Sequence, residues 1–285
     1  MGMGNTFGFK PPPLSPGWEE FLLPAPVIER NRSGVSIARE ELSLAGDRGA
    51  NGTKARALWA LACAAQKRGF RGICSAGGRI STQSLMICRI AQCLGMDFEY
   101  HCPRGSPTEM MEILIKAGFV IKQCHPGYSN QCRKMGRVAA EEREDWLFID
   151  TGVEGPDMPE IVKRAAIQAD LARFRRIVLP VGSGMTLSGI MRACEEIPEE
   201  DRPKILGIQI GGNPRTRLKR WAPSPWNRKV RLVDAKGSFY SNGDTRFGSA
   251  ICDPTYSGKC IPFFNKTGDL FWNSGCRQIA MMEHQ

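Results

Sequence analysis

The stretch Arg176-Ile-Val-Leu-Pro-Val-Gly-Ser-Gly-Met-Thr-Leu-Ser-Gly189 decides the fold class. Arg176 to Val181 is an apolar run of strand length, and a helical pattern runs from Thr186 to Ile197. Between them lies Gly182-Ser183-Gly184-Met185. Strand, glycine turn and helix make a βα unit, and in open α/β sheets ligands bind where strands end and helices begin. Glycines let backbone N–H groups close on an anion, and the helix N-terminus adds a favourable dipole. Ser183 and Thr186 add hydroxyl donors. A plain βα turn is the bland alternative, but glycines, hydroxyls and a helix start coincide here, which favours phosphate binding. No Gly-Lys-Ser/Thr follows, so a Walker A loop is excluded.

Outward from this unit the same alternation continues. Strands are expected at Val35 to Arg39, Gly72 to Ser75, Phe98 to Cys102, Phe119 to Cys124, Trp146 to Asp150 and Lys204 to Ile210. Helices are expected at Lys54 to Gly69, Ser81 to Leu94, Ser106 to Ala117, up to Arg143, and from Pro156 to Phe174. The alternation predicts an α/β protein with doubly wound, mainly parallel sheets. Beyond Gly211 the pattern weakens into loops, Pro223, Pro225 and two late strands.

Composition narrows the class. The chain has 285 residues, 42% of them hydrophobic, which suffices for one large α/β unit or two joined lobes. No apolar run reaches the ~20 residues that span a bilayer, so no membrane partner is expected. The Gly- and Pro-rich start, Met1 to Pro13, has no hydrophobic signal core, and Met1-Gly2 with Thr6 matches a myristoylation pattern only by chance. The 11 cysteines include no C-x-x-C, and no His/Cys cluster has zinc-finger spacing. Reduced thiols in a cytoplasmic protein without a metal are expected. The net charge of +10 favours polyanionic partners.

Two more strand-to-helix junctions carry chemistry. Ser75-Ala-Gly-Gly-Arg-Ile-Ser81-Thr82-Gln83 has two glycines and several polar side chains, though alone it reads as a loop with an N-cap at Ser81. Gly52-Thr53-Lys54 opens an amphipathic helix. A lysine there opposes the helix dipole, a local violation of the kind that marks function. A solvated surface lysine would be the default without the other two junctions.

Together these segments resemble the tryptophan-synthase-β-like, fold-type II enzymes dependent on pyridoxal 5'-phosphate (PLP). The branch resembled contains 1-aminocyclopropane-1-carboxylate (ACC) deaminase and D-cysteine desulfhydrase. The family pattern R-E-D-L…G-G-N-K-x-R-K-L appears as Arg39-Glu-Glu-Leu42…Ala50-Asn-Gly-Thr-Lys54-Ala-Arg-Ala-Leu58. The pattern S-x-G-G-x-x-S-N-Q appears as Ser75 to Gln83, and the phosphate loop as Gly182 to Gly189. L-D-P-V-Y-x-G-K-A appears as Cys252-Asp-Pro-Thr-Tyr-Ser-Gly-Lys-Cys260, and F-x-H-T-G-G as Leu270-Phe-Trp-Asn-Ser-Gly275. All five fall in the family's order.

The resemblance implies roles. Lys54 would hold PLP and move protons, most readily if desolvation lowers its pKa. Gly182, Ser183, Gly184, Met185 and Thr186 would bind the cofactor phosphate. Ser81, Thr82 and Gln83 would meet the substrate carboxylate, with Thr82 also near the cofactor ring oxygen. Tyr256 would sit at the active site, Ser257 would face the pyridine nitrogen, and Tyr240 would be a second active-site tyrosine. The implied organisation is a large PLP-binding domain, 1–57 plus 153–285, a small α/β domain, 58–152, and a homodimer. Two departures matter. ACC deaminase has Glu where this chain has Ser257, and a serine does not keep the pyridine nitrogen protonated, so cyclopropane opening is not expected. Only twelve residues separate Tyr240 from Asp253, where relatives place a helix, so a more open cleft is expected.

Gly211 to Val233 contains Arg215, Arg217, Lys219, Arg220, Arg228, Lys229 and Arg231 and no acid, with Trp221 and Trp226 among them. A solvated basic loop is the usual reading of such a run. Uncompensated cations with interleaved tryptophans also suit phosphate backbones and base stacking. Arg215, Arg217, Lys219, Arg220, Trp221 and Arg228 are therefore candidate nucleic-acid contacts. Three functions compete. One is a PLP lyase acting on an amino acid attached to DNA, as in the decarboxylations of bacteriophage thymidine hypermodification. Another is a small-molecule deaminase or desulfhydrase. The third is a non-catalytic PLP-fold binding protein, which the intact lysine and phosphate loop disfavour.

Overall fold

A computed structural model describes residues 17–43, 50–125, 129–235, 237, 241–264 and 267–282. In chain order the elements are β1 (Ile28–Arg30), β2 (Ser36–Arg39), α1 (Thr53–Lys67), β3 (Gly72–Ala76), α2 (Thr82–Leu94), β4 (Asp97–Pro103), α3 (Glu109–Lys116) and β5 (Val120–Cys124). They continue with α4 (Ser129–Glu141), β6 (Trp146–Ile149), α5 (Asp157–Gln168), β7 (Arg176–Val181), α6 (Met185–Glu195) and β8 (Lys204–Gln209). The remainder are α7 (Arg215–Trp221), α8 (Trp226–Lys229), β9 (Val230–Asp234), β10 (Arg246–Phe247), β11 (Ala250–Ile251), β12 (Asp269–Asn273) and α9 (Arg277–Met282).

The larger sheet has the order β1-β2-β12-β7-β8-β9, and the smaller one β5-β4-β3-β6. Apart from the antiparallel β1–β2 pair, the neighbours in both sheets are parallel. β3 and β12 are buried along their whole length, as strands covered on both faces must be. A continuous apolar core joins the two sheets, with Ile73 and Phe98 from the smaller and Ile177, Leu179 and Leu270 from the larger.

Two local expectations change. The helix after Pro156 stops at Gln168, because Asp170 takes a left-handed conformation at φ 50° and a 3-10 turn follows through Leu171 and Arg173. The basic tract is not a plain loop: Leu218 and Trp221 are buried, and their spacing of three makes Arg215–Trp221 a helix. The last strand, β12, lies inside the large sheet between β2 and β7. Residues 241–252 carry the small β10–β11 hairpin. Among the described residues, no helix is long and apolar enough to cross a membrane.

Candidate active site

Lys54 is the second residue of α1, and the backbone before it is pinned from two sides. The Gly52 N–H donates to the Glu40 carbonyl at 2.8 Å, and the Thr53 N–H donates to Ser274 at 3.1 Å, just past the end of β12. The Trp272 indole donates to the Thr53 hydroxyl at 3.0 Å. Gly52 has φ 92°, and a Cβ there would lie 2.3 Å from the Ser274 oxygen, so only glycine fits. Arg56, one turn along α1, donates to the buried Glu40 carboxylate at 2.7 Å. Burial of its amine and the nearby Arg217 charge hold Lys54 below the ordinary lysine range, which favours the neutral, nucleophilic form.

The loop expected to hold the cofactor phosphate follows β7. Gly184 takes φ 87° and caps α6, and no side chain caps that helix. Among the described residues, the backbone N–H groups of Thr186 and Leu187 have no acceptor, and only a long 3.4 Å contact to the Ser183 hydroxyl serves Met185. Ser183 and Thr186 are half-buried, and Met185 is buried. This is a donor set fitted to a phosphate. The Tyr256 hydroxyl bonds to the Gly182 backbone, and burial pushes its phenol up. Asp253 sets this turn by accepting from the Thr255 N–H at 2.9 Å and its hydroxyl at 2.7 Å. The wholly buried Ser257 hydroxyl accepts from the Asp253 N–H at 2.9 Å and donates to the Gly275 carbonyl at 3.5 Å.

The third junction starts α2. Ser81 and Thr82 are half-buried, and the N–H groups of Thr82 and Gln83 lack acceptors among the described residues. Tyr100 lies beneath, its hydroxyl donating to the Gly78 carbonyl at 2.8 Å. The Gln83 side chain has other work: it donates to the Asp150 carbonyl at 2.8 Å and accepts from the Gly152 N–H at 2.7 Å. Its amide is therefore committed to the protein, and its backbone N–H is what remains for a substrate.

The segment 150–154, which sequence reasoning missed, ties the junctions together. Besides bonding Gln83, it brings Gly152 within close contact of the Ser183 side chain. Asp150 accepts both Nε and Nη2 of Arg133, at 2.5 and 2.6 Å. Glu154 accepts from Arg217 Nε at 2.6 Å and lies 3.4 Å from both Arg133 and Arg220. α7 packs on the phosphate loop, with Leu218 and Pro214 against Gly184. Acidic residues just after a strand are the only sequence signal for this segment, and nothing local links them to a tract some sixty residues later.

The basic tract therefore differs from its sequence reading. Glu154 compensates Arg217 and Arg220, and Glu195 accepts Lys229 at 3.0 Å. Trp221 is 6% exposed, with its carbonyl taken by Arg192, so its ring is not available for stacking on a base. Its apolar ring fills the inner face of α7 instead. Arg215 lies over the half-buried Trp226 ring at 5.9 Å. Arg215, Lys219, Arg228 and Arg231 are exposed and have no carboxylate partner among the described residues. Tyr240 lies outside the described residues. A buried trio, Cys74, Glu99 and His101, sits inside the smaller sheet, where Arg143 donates to Glu99 at 2.8 Å and supplies the cation.

Comparison with known proteins agrees with this geometry. A search of curated protein sequences returned no match. Among solved structures, an ACC deaminase homologue superposes with a TM-score of 0.73 at 19% identity, covering 90% of both chains. The processed form of threonine deaminase isoform 2 from Solanum lycopersicum gives 0.63 at 14% identity, covering 91% of this chain and 81% of that one. An O-acetylserine-dependent cystathionine beta-synthase from Helicobacter pylori gives 0.63 at 14% identity, covering 93% and 96%. These likenesses show the fold. The family model for pyridoxal-phosphate-dependent enzymes matches residues 47–236, a span that holds Lys54, the loops at Ser75 to Gln83 and Gly182 to Gly189, and α7. The chain thus belongs to the pyridoxal-phosphate-dependent enzymes of fold type II, and PLP is its cofactor.

Proposed function

We propose that this enzyme is a PLP-dependent lyase that removes the carboxylate of an amino acid carried on nucleic acid. One observation supports the lyase half. The segment 150–154 connects the phosphate loop through Gly152, the carboxylate loop through Gln83, and the neighbourhood of Lys54 through Glu154 and Arg217. When bound, PLP supplies an electron sink for charge left on the carbon whose bond breaks. Lys54, with its amine held below the ordinary range, holds the cofactor and moves a proton at that carbon. The free N–H groups of Thr82 and Gln83, with the Ser81 hydroxyl, orient the substrate carboxylate. Ser183, Gly184 and Thr186 hold the phosphate, and Tyr256 supports that loop from Gly182.

The exposed cations Arg215, Lys219, Arg228 and Arg231 support the nucleic-acid half. Arg215 and Lys219 lie on α7, the helix packed against Gly184, with Arg228 on the adjoining α8 and Arg231 on β9. A second reading is a small-molecule deaminase or desulfhydrase. The likeness to an ACC deaminase homologue favours it, as does the carboxylate pairing of Arg217, Arg220 and Lys229. The test incubates PLP-loaded enzyme with amino-acid-modified DNA and with free D- and L-amino acids, followed by mass spectrometry. Carbon dioxide lost from the modified DNA is the expected result. Ammonia or sulfide released from a free amino acid, with the DNA unchanged, would overturn the nucleic-acid half.

A further inference from the structure

Arg217 is held in an unusual way for a surface cation. Its Nε donates to Glu154 at 2.6 Å, and Glu154 is only 10% exposed and also faces Arg133 and Arg220. That anchor uses one of the five donors of the guanidinium. Among the described residues, neither terminal nitrogen of Arg217 has a partner, and its side chain remains 29% exposed. The helix that carries it is fixed against the phosphate loop by Leu218 and Pro214. The lowered Lys54 amine registers the same proximity. An arginine anchored through Nε with its Nη edge free is the arrangement that recognises a carboxylate or phosphate with two parallel bonds. The cofactor phosphate already has the loop and helix donors around Ser183 and Thr186, and the substrate carboxylate has those of Thr82 and Gln83.

We infer that Arg217 is a specificity residue whose free edge binds a second anionic group on the substrate, beyond its α-carboxylate. The inference rests on the amino-acid-lyase reading and deepens it. The substrate class is an amino acid bearing a further carboxylate or phosphate. On a nucleic-acid carrier that group is a phosphate of the modified nucleotide.

The test titrates PLP-loaded enzyme with paired ligands and follows the cofactor absorbance, so that binding is read without turnover. The pairs are alanine and aspartate, serine and O-phosphoserine, and an amino-acid-modified thymidine with and without its 5'-phosphate. Wild type should bind the more anionic member of at least one pair about tenfold or more tightly, the range of a charge-assisted bond. The pair that responds identifies the source of the anion. Arg217→Gln should erase that preference, the anionic member of the pair losing at least about tenfold more affinity than the neutral one. Arg217→Lys, which keeps the charge without the fork, should restore part of it and covers the case in which Arg217→Gln fails to fold. Equal affinities within every pair, or a preference that survives Arg217→Gln, would overturn the inference alone. A fall in PLP affinity in Arg217→Gln with ligand preference intact would assign the residue to the cofactor phosphate and also overturn it. If no ligand of either kind perturbs the absorbance, the amino-acid-lyase reading falls with it.

Discussion

Replacing Gly52 with alanine is the sharpest perturbation of the lysine's position. Gly52 has φ 92° and ψ 172°, a region essentially reserved for glycine, so an alanine there costs about 1–3 kcal/mol. The new Cβ would also lie 2.3 Å from the Ser274 oxygen and 2.8 Å from the Gly275 Cα. Both neighbours are backbone and have no rotamer to move. Reaching an ordinary contact of ~3.3 Å means parting the two segments by roughly 1 Å in a packed interior, which costs a further ~1–3 kcal/mol. The total of about 2–6 kcal/mol compares with a whole-protein stability of about 5–15 kcal/mol. In a chain of this size the melting temperature should fall by ~3–10 °C. The Thr53 N–H bond to Ser274 bridges the same gap, so Lys54 shifts with it. A misplacement of about 1 Å at a reacting group costs on the order of 10²-fold in rate. The assays are thermal unfolding with and without PLP, and the rate of borohydride trapping of PLP on the protein. Gly78→Ala is the control, because a Cβ there meets open space. If Gly52→Ala melts like Gly78→Ala and traps PLP at the wild-type rate, the close approach of Ser274 does not constrain Lys54 and the reasoning fails.

Other outcomes follow from the same geometry. Borohydride reduction and peptide mapping should place the cofactor adduct on Lys54, and Lys54→Ala should abolish turnover; an adduct on any other lysine would refute the assignment. PLP capture by the apoenzyme requires the neutral amine and so should rise with pH through the lowered pKa of Lys54. Removing the positive charge in Arg217→Gln should raise that pKa and move the capture curve to higher pH, whereas an unmoved curve would separate the two residues. Tyr100→Phe loses the bond to the Gly78 carbonyl and should raise KM several-fold with little change in kcat, since the chemistry at Lys54 is untouched; a change confined to kcat would contradict this. If the exposed cations meet DNA, changing Arg215, Lys219, Arg228 and Arg231 to Gln should flatten the log–log salt dependence of duplex binding by up to ~3.6 units, at about 0.9 per phosphate contact. Equal slopes for wild type and variant would remove the nucleic-acid reading.

What the sequence determined by itself was whatever depends on neighbours along the chain. The apolar run Arg176–Val181, the glycines after it and the amphipathic pattern after Lys54 follow from side-chain periodicity and backbone freedom. They were enough to identify the βα units and to single out the Gly182–Gly189 loop and Lys54 as candidates for holding the cofactor. Tertiary structure decided everything that pairs residues far apart. β12 enters the large sheet beside β2, about 230 residues earlier, because parallel partners need no proximity in sequence. Gln83 reads as a substrate ligand until Asp150 and Gly152 are found to hold its amide. The tract from Arg215 reads as uncompensated because its carboxylate, Glu154, is more than sixty residues upstream. Trp221 reads as a stacking platform because a strongly basic seven-residue helix hides a two-position apolar face. Local patterns report which element a segment forms, whereas charge compensation, burial and register depend on which surfaces meet when those elements pack.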